Sequence, residues 1–194
     1  MLEGVAGPAI AMRPNWFVGW TIDAPGVMDR LACPPERVRL FVPSDLHITL
    51  AFFGSVDAER ARAAFSLVNP ADFRAISVVP TSLSLMGHPK RGTALAADIG
   101  QGRATLIDGM SRYRDALLNK AGTALPQVDH RPHVTVARIG RRARDPQRSA
   151  ALTWARAVDL DGLVFHVDRI GLYTWAKDRR NRLFQLDRAM PLPS

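Results

Sequence analysis

The sequence predicts an α+β protein built of two similar lobes around one cleft. Two observations carry this. Short aromatic and β-branched runs alternate along the chain with alanine-rich stretches of helical spacing. A His-apolar-Thr-apolar tetrapeptide also occurs twice, as "HITL" at 47–50 and "HVTV" at 133–136. For a chain with five His, chance would produce such a repeat roughly one time in a thousand. The repetition is signal.

The elements follow in order. "NWFVGWTIDAP" reads as a strand stopped by Pro25, and a short helix from Gly26 to Arg37 follows, interrupted by Pro34 and Pro35. "VRLFVPSDLHITLAFFG" gives a strand, a Pro-Ser-Asp turn and a second strand ending at Gly54. "DAERARAAFSLV" is a helix capped by Asp57. Beyond Asn69-Pro70, "AISVVPTSLSLMG" and "GTALAADIG" are strands flanking the basic loop "HPKR". "GRATLIDGMSRYRDALLNKAG" is the longest helix, ended by Gly122. "HVTVARIG" is a strand and "DPQRSAALTWARAV" a capped helix. "LVFHVDRIGLYTW" and "RLFQLDRAM" close the chain as a hairpin across "AKDRRN". Each half of the chain thus supplies strands, a His-x-Thr strand and a helix. The expected organisation is a tail over residues 1–14 and a single bilobal domain over 15–194. The opening "MLEGVAGPAIAM" lacks a basic leader and carries Glu3, so it reads as a loose tail with Met12 as an alternative start.

Bulk properties narrow the partners. A net charge of +8 and a pI near 10.9 over 194 residues favour polyanions. The single Cys33 excludes an intramolecular disulfide and a multi-cysteine zinc site, which fits a cytoplasmic setting. No apolar run approaches the ~20 residues of a membrane helix, so no membrane partner is expected.

Strand geometry gives the tetrapeptides a purpose. Alternation projects His47 and Thr49 from one face and Ile48 and Leu50 from the other; His133 and Thr135 stand in the same way against Val134 and Val136. Two such strands side by side line a cleft with two imidazoles and two hydroxyls. One neutral imidazole can take a proton while one imidazolium gives one, and hydroxyls can donate to phosphate oxygens. Arg138 adds a fixed positive charge if its strand bends near the end. No H-E-x-x-H spacing supports a metal, no G-x-S-x-G supports a serine nucleophile, and a purely structural role leaves the matched spacing unexplained. Neither metal nor cofactor is expected.

On these residues the chain resembles the 2H phosphoesterase superfamily, and within it the RNA 2′,3′-cyclic phosphodiesterases, also called 2′-5′ RNA ligases. "FVPSDLHITLAFFG", "RPHVTVARIG" and "WTIDAP" carry the likeness, which spans Trp16 to Leu186. The resemblance implies two pseudo-symmetric lobes, each an antiparallel sheet with helices on its outer face. It implies His47 and His133 as the acid and base, with His133 activating water and His47 protonating the leaving oxygen. It also implies Thr49, Thr135 and Arg138 as phosphate contacts and Trp20 as a base-stacking residue. The implied substrate is an RNA with a 2′,3′-cyclic phosphate end, handled by a monomer. A small nucleotide (ADP-ribose cyclic phosphate or a 2′-5′ oligonucleotide) and a non-catalytic RNA-binding role are the alternatives. Thr174 and Trp175 depart from the family's Glu and Ser.

Other residues read more plainly. His88 and His130 are expected at the surface, His166 on a sheet face and Trp154 in the core; Asp45 reads as a turn residue, with orientation of the His47 ring as the alternative if the strand begins early. Trp175 is a candidate for stacking a base. Lys90 and Arg91 are candidates for tracking an RNA backbone, and Arg141, Arg142, Arg179, Arg180 and Arg182 for the rim of an RNA channel.

Overall fold

The structure, a computed structural model, describes residues 13–125 and 130–194. Residues 1–12 of the expected tail lie outside that range. Arg13 is tied down, its carbonyl accepting from the Ser55 hydroxyl at 3.3 Å.

The strands are β1 (Trp16–Thr21), β2 (Val38–Leu40), β3 (His47–Gly54), β4 (Ile76–Val78), β5 (Pro80–Met86), β6 (Ala94–Ile99), β7 (His133–Ile139), β8 (Phe165–Val167), β9 (Arg169–Trp175) and β10 (Phe184–Pro191). The helices are α1 (Val27–Arg30), α2 (Ala58–Phe65), α3 (Arg103–Ala121) and α4 (Asp145–Ala157). Asp57 caps α2 by accepting from the Arg60 N–H at 2.8 Å, and Gly122 ends α3 in the left-handed region at φ 71°. The helix expected from Gly26 to Arg37 shrinks to the single turn of α1. Cys33 and Arg37, at φ 53° and 68°, turn the chain away from helical geometry after it.

The main sheet runs β10-β9-β1-β3-β7-β6-β5 and is antiparallel throughout, with β2 also paired to β7. It is two lobes joined at one seam. β3 and β7 share a single residue pair, Ile48 with Val134, and beyond it β2 takes over the edge of β7. Because β2 holds β7 while β3 leaves it, the sheet splits there and opens the cleft. The lobes do not follow the halves of the chain, as the sequence had suggested. One takes both chain ends (β1, β3, β9, β10) and the other takes the middle (β2, β5, β6, β7). Helices α2 and α3 pack behind the first lobe and α4 behind β5 of the second.

The two faces of β1 decide what the cleft contains. Trp16, Val18 and Trp20 are buried in the hydrophobic core. Phe17, Gly19 and Thr21 lie on the other face, opposite Phe52, Thr49 and His47 of β3. At Gly19 the two backbones come close: a Cβ there would lie 2.7 Å from the Ile48 carbonyl oxygen. Since a backbone carbonyl in a central strand pair cannot step aside, Gly19→Ala is expected to destabilise the fold by about 1–3 kcal/mol in denaturant titration.

Candidate active site

The functional strands share more than their tetrapeptide. Strict alternation would send a residue five places after each His to the opposite face, because five is odd. Between the His and the residue five places on, each strand carries one extra residue. In β3, Val18 pairs with Ala51 and Gly19 with Thr49, leaving Leu50 unpaired; in β7, Leu95 pairs with Ala137 and Ala96 with Thr135, leaving Val136 unpaired. These bulges reverse the alternation. Along both strands a buried aliphatic is followed by a half-buried Thr, two buried residues, and then an exposed side chain. That exposed side chain is Phe52 in β3 and Arg138 in β7. The bend that Arg138 needed is therefore a bulge, and Phe52 is its pseudo-symmetric counterpart, which the sequence reading missed.

The seam fixes the relation of the motifs. With Ile48 paired to Val134, antiparallel register sets His47 abreast of Thr135 and Thr49 abreast of His133 on the cleft face. Each imidazole is anchored by the backbone carbonyl two residues before it. His47 Nδ1 lies 2.6 Å from the Asp45 oxygen and His133 Nδ1 lies 2.7 Å from the Arg131 oxygen. A carbonyl only accepts, so each Nδ1 carries the proton and donates, leaving Nε2 as the working nitrogen in both.

Their surroundings differ. His47 is enclosed by Phe17, Tyr173 and Phe184, with ring centroids 4.5, 5.3 and 5.3 Å away. Burial lowers its pKa from 6.5 to about 4, against the opposing pull of the Asp45 carbonyl; the nearby charges of His133 and Arg138 lower it further. His133 is half-buried and borders a cavity of about 310 Å³ with Thr49, Leu50, Phe52, Met86 and Met110.

Asp45 has a larger part than a turn residue. Its side chain is buried, and its two carboxylate oxygens accept from the backbone N–H groups of Leu183 at 2.7 Å and Phe184 at 3.0 Å. It thereby ties the start of β10 to the carbonyl that orients His47. On the other side, Arg131, whose carbonyl orients His133, is itself held by Asp98 through Nε at 3.0 Å and Nη2 at 2.9 Å.

The remaining expected residues separate cleanly. Thr49, Thr135 and Arg138 join the histidines in the cleft, and the Arg138 guanidinium stands 5.8 Å from the centre of the Phe41 ring. Trp20 does not join them. It pairs with Ile48 on the core face, is 2 % exposed, and packs edge-on to Phe73, against Gly109 of α3. The strand's parity points it away from any base in the cleft, so base stacking by Trp20 is set aside. His130 is half-buried and lines the 310 Å³ cavity with His133; it does not stand free at the surface. Its Nδ1 is 3.1 Å from an Arg114 nitrogen. His88 and His166 are exposed and Trp154 packs partly buried against the core.

Two outcomes are expected. His47 binds its proton more weakly folded than unfolded, so stability rises with pH between about 4 and 6.5 and is lost as pH falls through that window. Wild type should lose up to roughly 3 kcal/mol more than His47→Gln across it, measured by chemical denaturation at each pH. Asp45→Asn sets an amide N–H2 against one of two backbone donors. The expected cost is about 1–3 kcal/mol, with faster hydrogen exchange at the Leu183 and Phe184 amides.

The same architecture recurs in solved structures. Escherichia coli LigT complexed with 3′-AMP superposes with a TM-score of 0.64 at 20% identity, covering 94% of this chain and 100% of LigT. TT0787 of Thermus thermophilus gives 0.63 at 16% identity, covering 92% and 97%. A structure described as a phosphoesterase gives 0.60 at 19% identity, covering 93% and 99%. At these identities the likeness establishes the fold. No curated protein matches the sequence. The sequence profile of the 2′-5′ RNA ligase superfamily, however, matches residues 29–179, a span that includes both histidine motifs, both bulges and Arg138, and the chain belongs to that superfamily.

Proposed function

We propose that the protein hydrolyses RNA 2′,3′-cyclic phosphate ends to 2′-phosphate ends by two-histidine acid/base catalysis. The observation that carries this is the matched pair of carbonyl-anchored imidazoles, each with Nε2 as its free nitrogen, on the two strands that flank one seam. A phosphate between them meets a proton acceptor on one side and a proton donor on the other. Thr49 and Thr135 donate to its nonbridging oxygens, and Arg138 supplies permanent positive charge for the transition state.

The roles follow from access and solvation. His133, half-buried at the cavity, takes a proton from water through Nε2 as the water oxygen attacks phosphorus. The bond from phosphorus to O3′ breaks, and O3′ receives the proton of His47 Nε2. Burial keeps His47 neutral in the empty cleft. A phosphodiester anion against it offsets the lost solvation, so His47 gains its proton as substrate binds. Once protonated, it sits in surroundings that favour giving the proton up, as a good acid requires. With a 5′-hydroxyl in place of water the same groups open the cyclic phosphate onto that oxygen, O3′ leaving with the proton of His47, and so join two ends through a 2′-5′ linkage; cleavage of that linkage back to the cyclic phosphate is the reverse of this step.

The test is incubation, with EDTA present, with a short RNA ending in a 2′,3′-cyclic phosphate. A 2′-phosphate product, reduced by roughly 10²–10⁴-fold in both His47→Ala and His133→Ala, is expected. Dependence on an added metal, or a 3′-phosphate product, overturns the mechanism. Replacing the 3′ bridging oxygen by sulfur, a leaving group that needs no proton, separates the two roles. His47→Ala should recover most activity on that substrate and His133→Ala should not.

A further inference from the structure

The pseudo-symmetry of the cleft is broken chemically at its two flanks. Beyond Phe52 the wall sets Leu50, Met86 and Met110 beside Arg114, His130 and Arg131, the last of them ion-paired to Asp98. Beyond Arg138 it is cationic. Arg39 lies directly across from Arg138 on β2, so both side chains leave the same face. The Arg39 guanidinium donates to the backbone carbonyls of Arg179 and Arg180, both at 2.9 Å. Those contacts pin the loop between β9 and β10, which belongs to one lobe, onto β2 of the other. The pinned loop carries Arg179, whose guanidinium stacks 4.3 Å above the Trp175 ring. Arg141 follows β7 on the same side. Arg138 is partly desolvated, and the charges of Arg141 and Arg179 are close enough to weaken its hold on its proton further.

What marks this grouping is that its like charges stand close to one another with no ion-paired carboxylate among them. Among the described residues, Arg39, Arg138, Arg141 and Arg179 make no ion pair with any carboxylate, whereas Arg30, Arg62, Arg112 and Arg131 each do. Holding like charges together costs energy that an anion would return. Arg138 is already committed to the reacting phosphate. Two further cations and an aromatic face remain beside it: Arg141 just past β7, Arg179 on the loop that Arg39 holds, and Trp175 at the end of β9.

We infer that Arg141 and Arg179, with Trp175 beneath Arg179, form a second phosphate subsite that engages the phosphate next to the reacting one on the same substrate molecule. The inference rests on the proposed reaction and narrows its substrate: a cyclic phosphate end that continues into a strand is preferred to a nucleoside 2′,3′-cyclic monophosphate. The remaining members of the expected RNA rim, Arg142, Arg180 and Arg182, are not needed for this subsite.

The test compares three substrates: a nucleoside 2′,3′-cyclic phosphate, the same compound with a 5′-phosphate, and a dinucleotide with the cyclic end. The second phosphate should raise kcat/KM roughly tenfold to a hundredfold. A 5′-phosphate that matches the dinucleotide assigns the gain to the phosphate itself; a gain with the dinucleotide alone assigns it to the internal diester. In the double variant Arg141→Ala, Arg179→Ala the gain should collapse for either. Equal turnover of all three by wild type, or a gain surviving in the double variant, overturns the subsite while leaving the reaction intact. No turnover of any overturns the reaction instead, and a binding measurement then decides the subsite. The affinity of a dinucleotide with a 2′-phosphate end should fall with salt more steeply than that of a nucleoside 2′-monophosphate. The slopes should differ by about 0.7 in wild type and not in the double variant. Equal slopes in wild type refute the second contact whatever the chemistry.

Discussion

The extra residue that follows each His-x-Thr pair, in two neighbouring strands, is the constraint on which the site depends. A regular β3 and β7 would present His and Thr to the cleft and send the residues five places on into the core. For Arg138 that would mean a guanidinium in an apolar layer, at a prohibitive solvation cost. Leu50 and Val136, unpaired, turn the strands over and return Phe52 and Arg138 to the cleft. The backbone device is identical on both sides and the chemistry it delivers is not. One lobe offers a ring and the other a cation, so a nearly symmetric frame acquires a direction.

The histidines show the same division between frame and content. Both are locked by a carbonyl two residues upstream, which sets the tautomer without any carboxylate. What differs is solvent. Phe17, Tyr173 and Phe184 withdraw water from His47, while His133 keeps some. Separate environments acting on two like groups are how one site comes to hold an acid and a base together.

Much of this was legible in the chain. The two His-x-Thr strands, the Asp57 cap, the Gly122 stop and the closing hairpin are local signals, and local signals survive folding. The rest depends on partners distant in sequence. "TLAFF" and "TVARI" read as unbroken strands because a bulge is defined against a neighbour. The face taken by Trp20 follows from its pairing with Ile48 and from the gap left by Gly109 in α3. The part played by Asp45 needed Leu183 and Phe184, from the far end of the chain. The assignment of one lobe to each half failed because sheet order does not follow chain order.

That interleaving bears on how the protein is made. The middle lobe has all its strands once β7 has left the ribosome. The other lobe holds β1 and β3 in waiting until β9 and β10 are synthesised, with the Phe17 ring and the His47 imidazole lacking Tyr173 and Phe184 until the last strands arrive. Such non-local pairing folds slowly and late. A chain lacking β9 and β10 therefore possesses both histidine motifs but only one of the three rings around His47: the surroundings that prepare this imidazole for chemistry form only when strands more than a hundred residues away have joined the sheet.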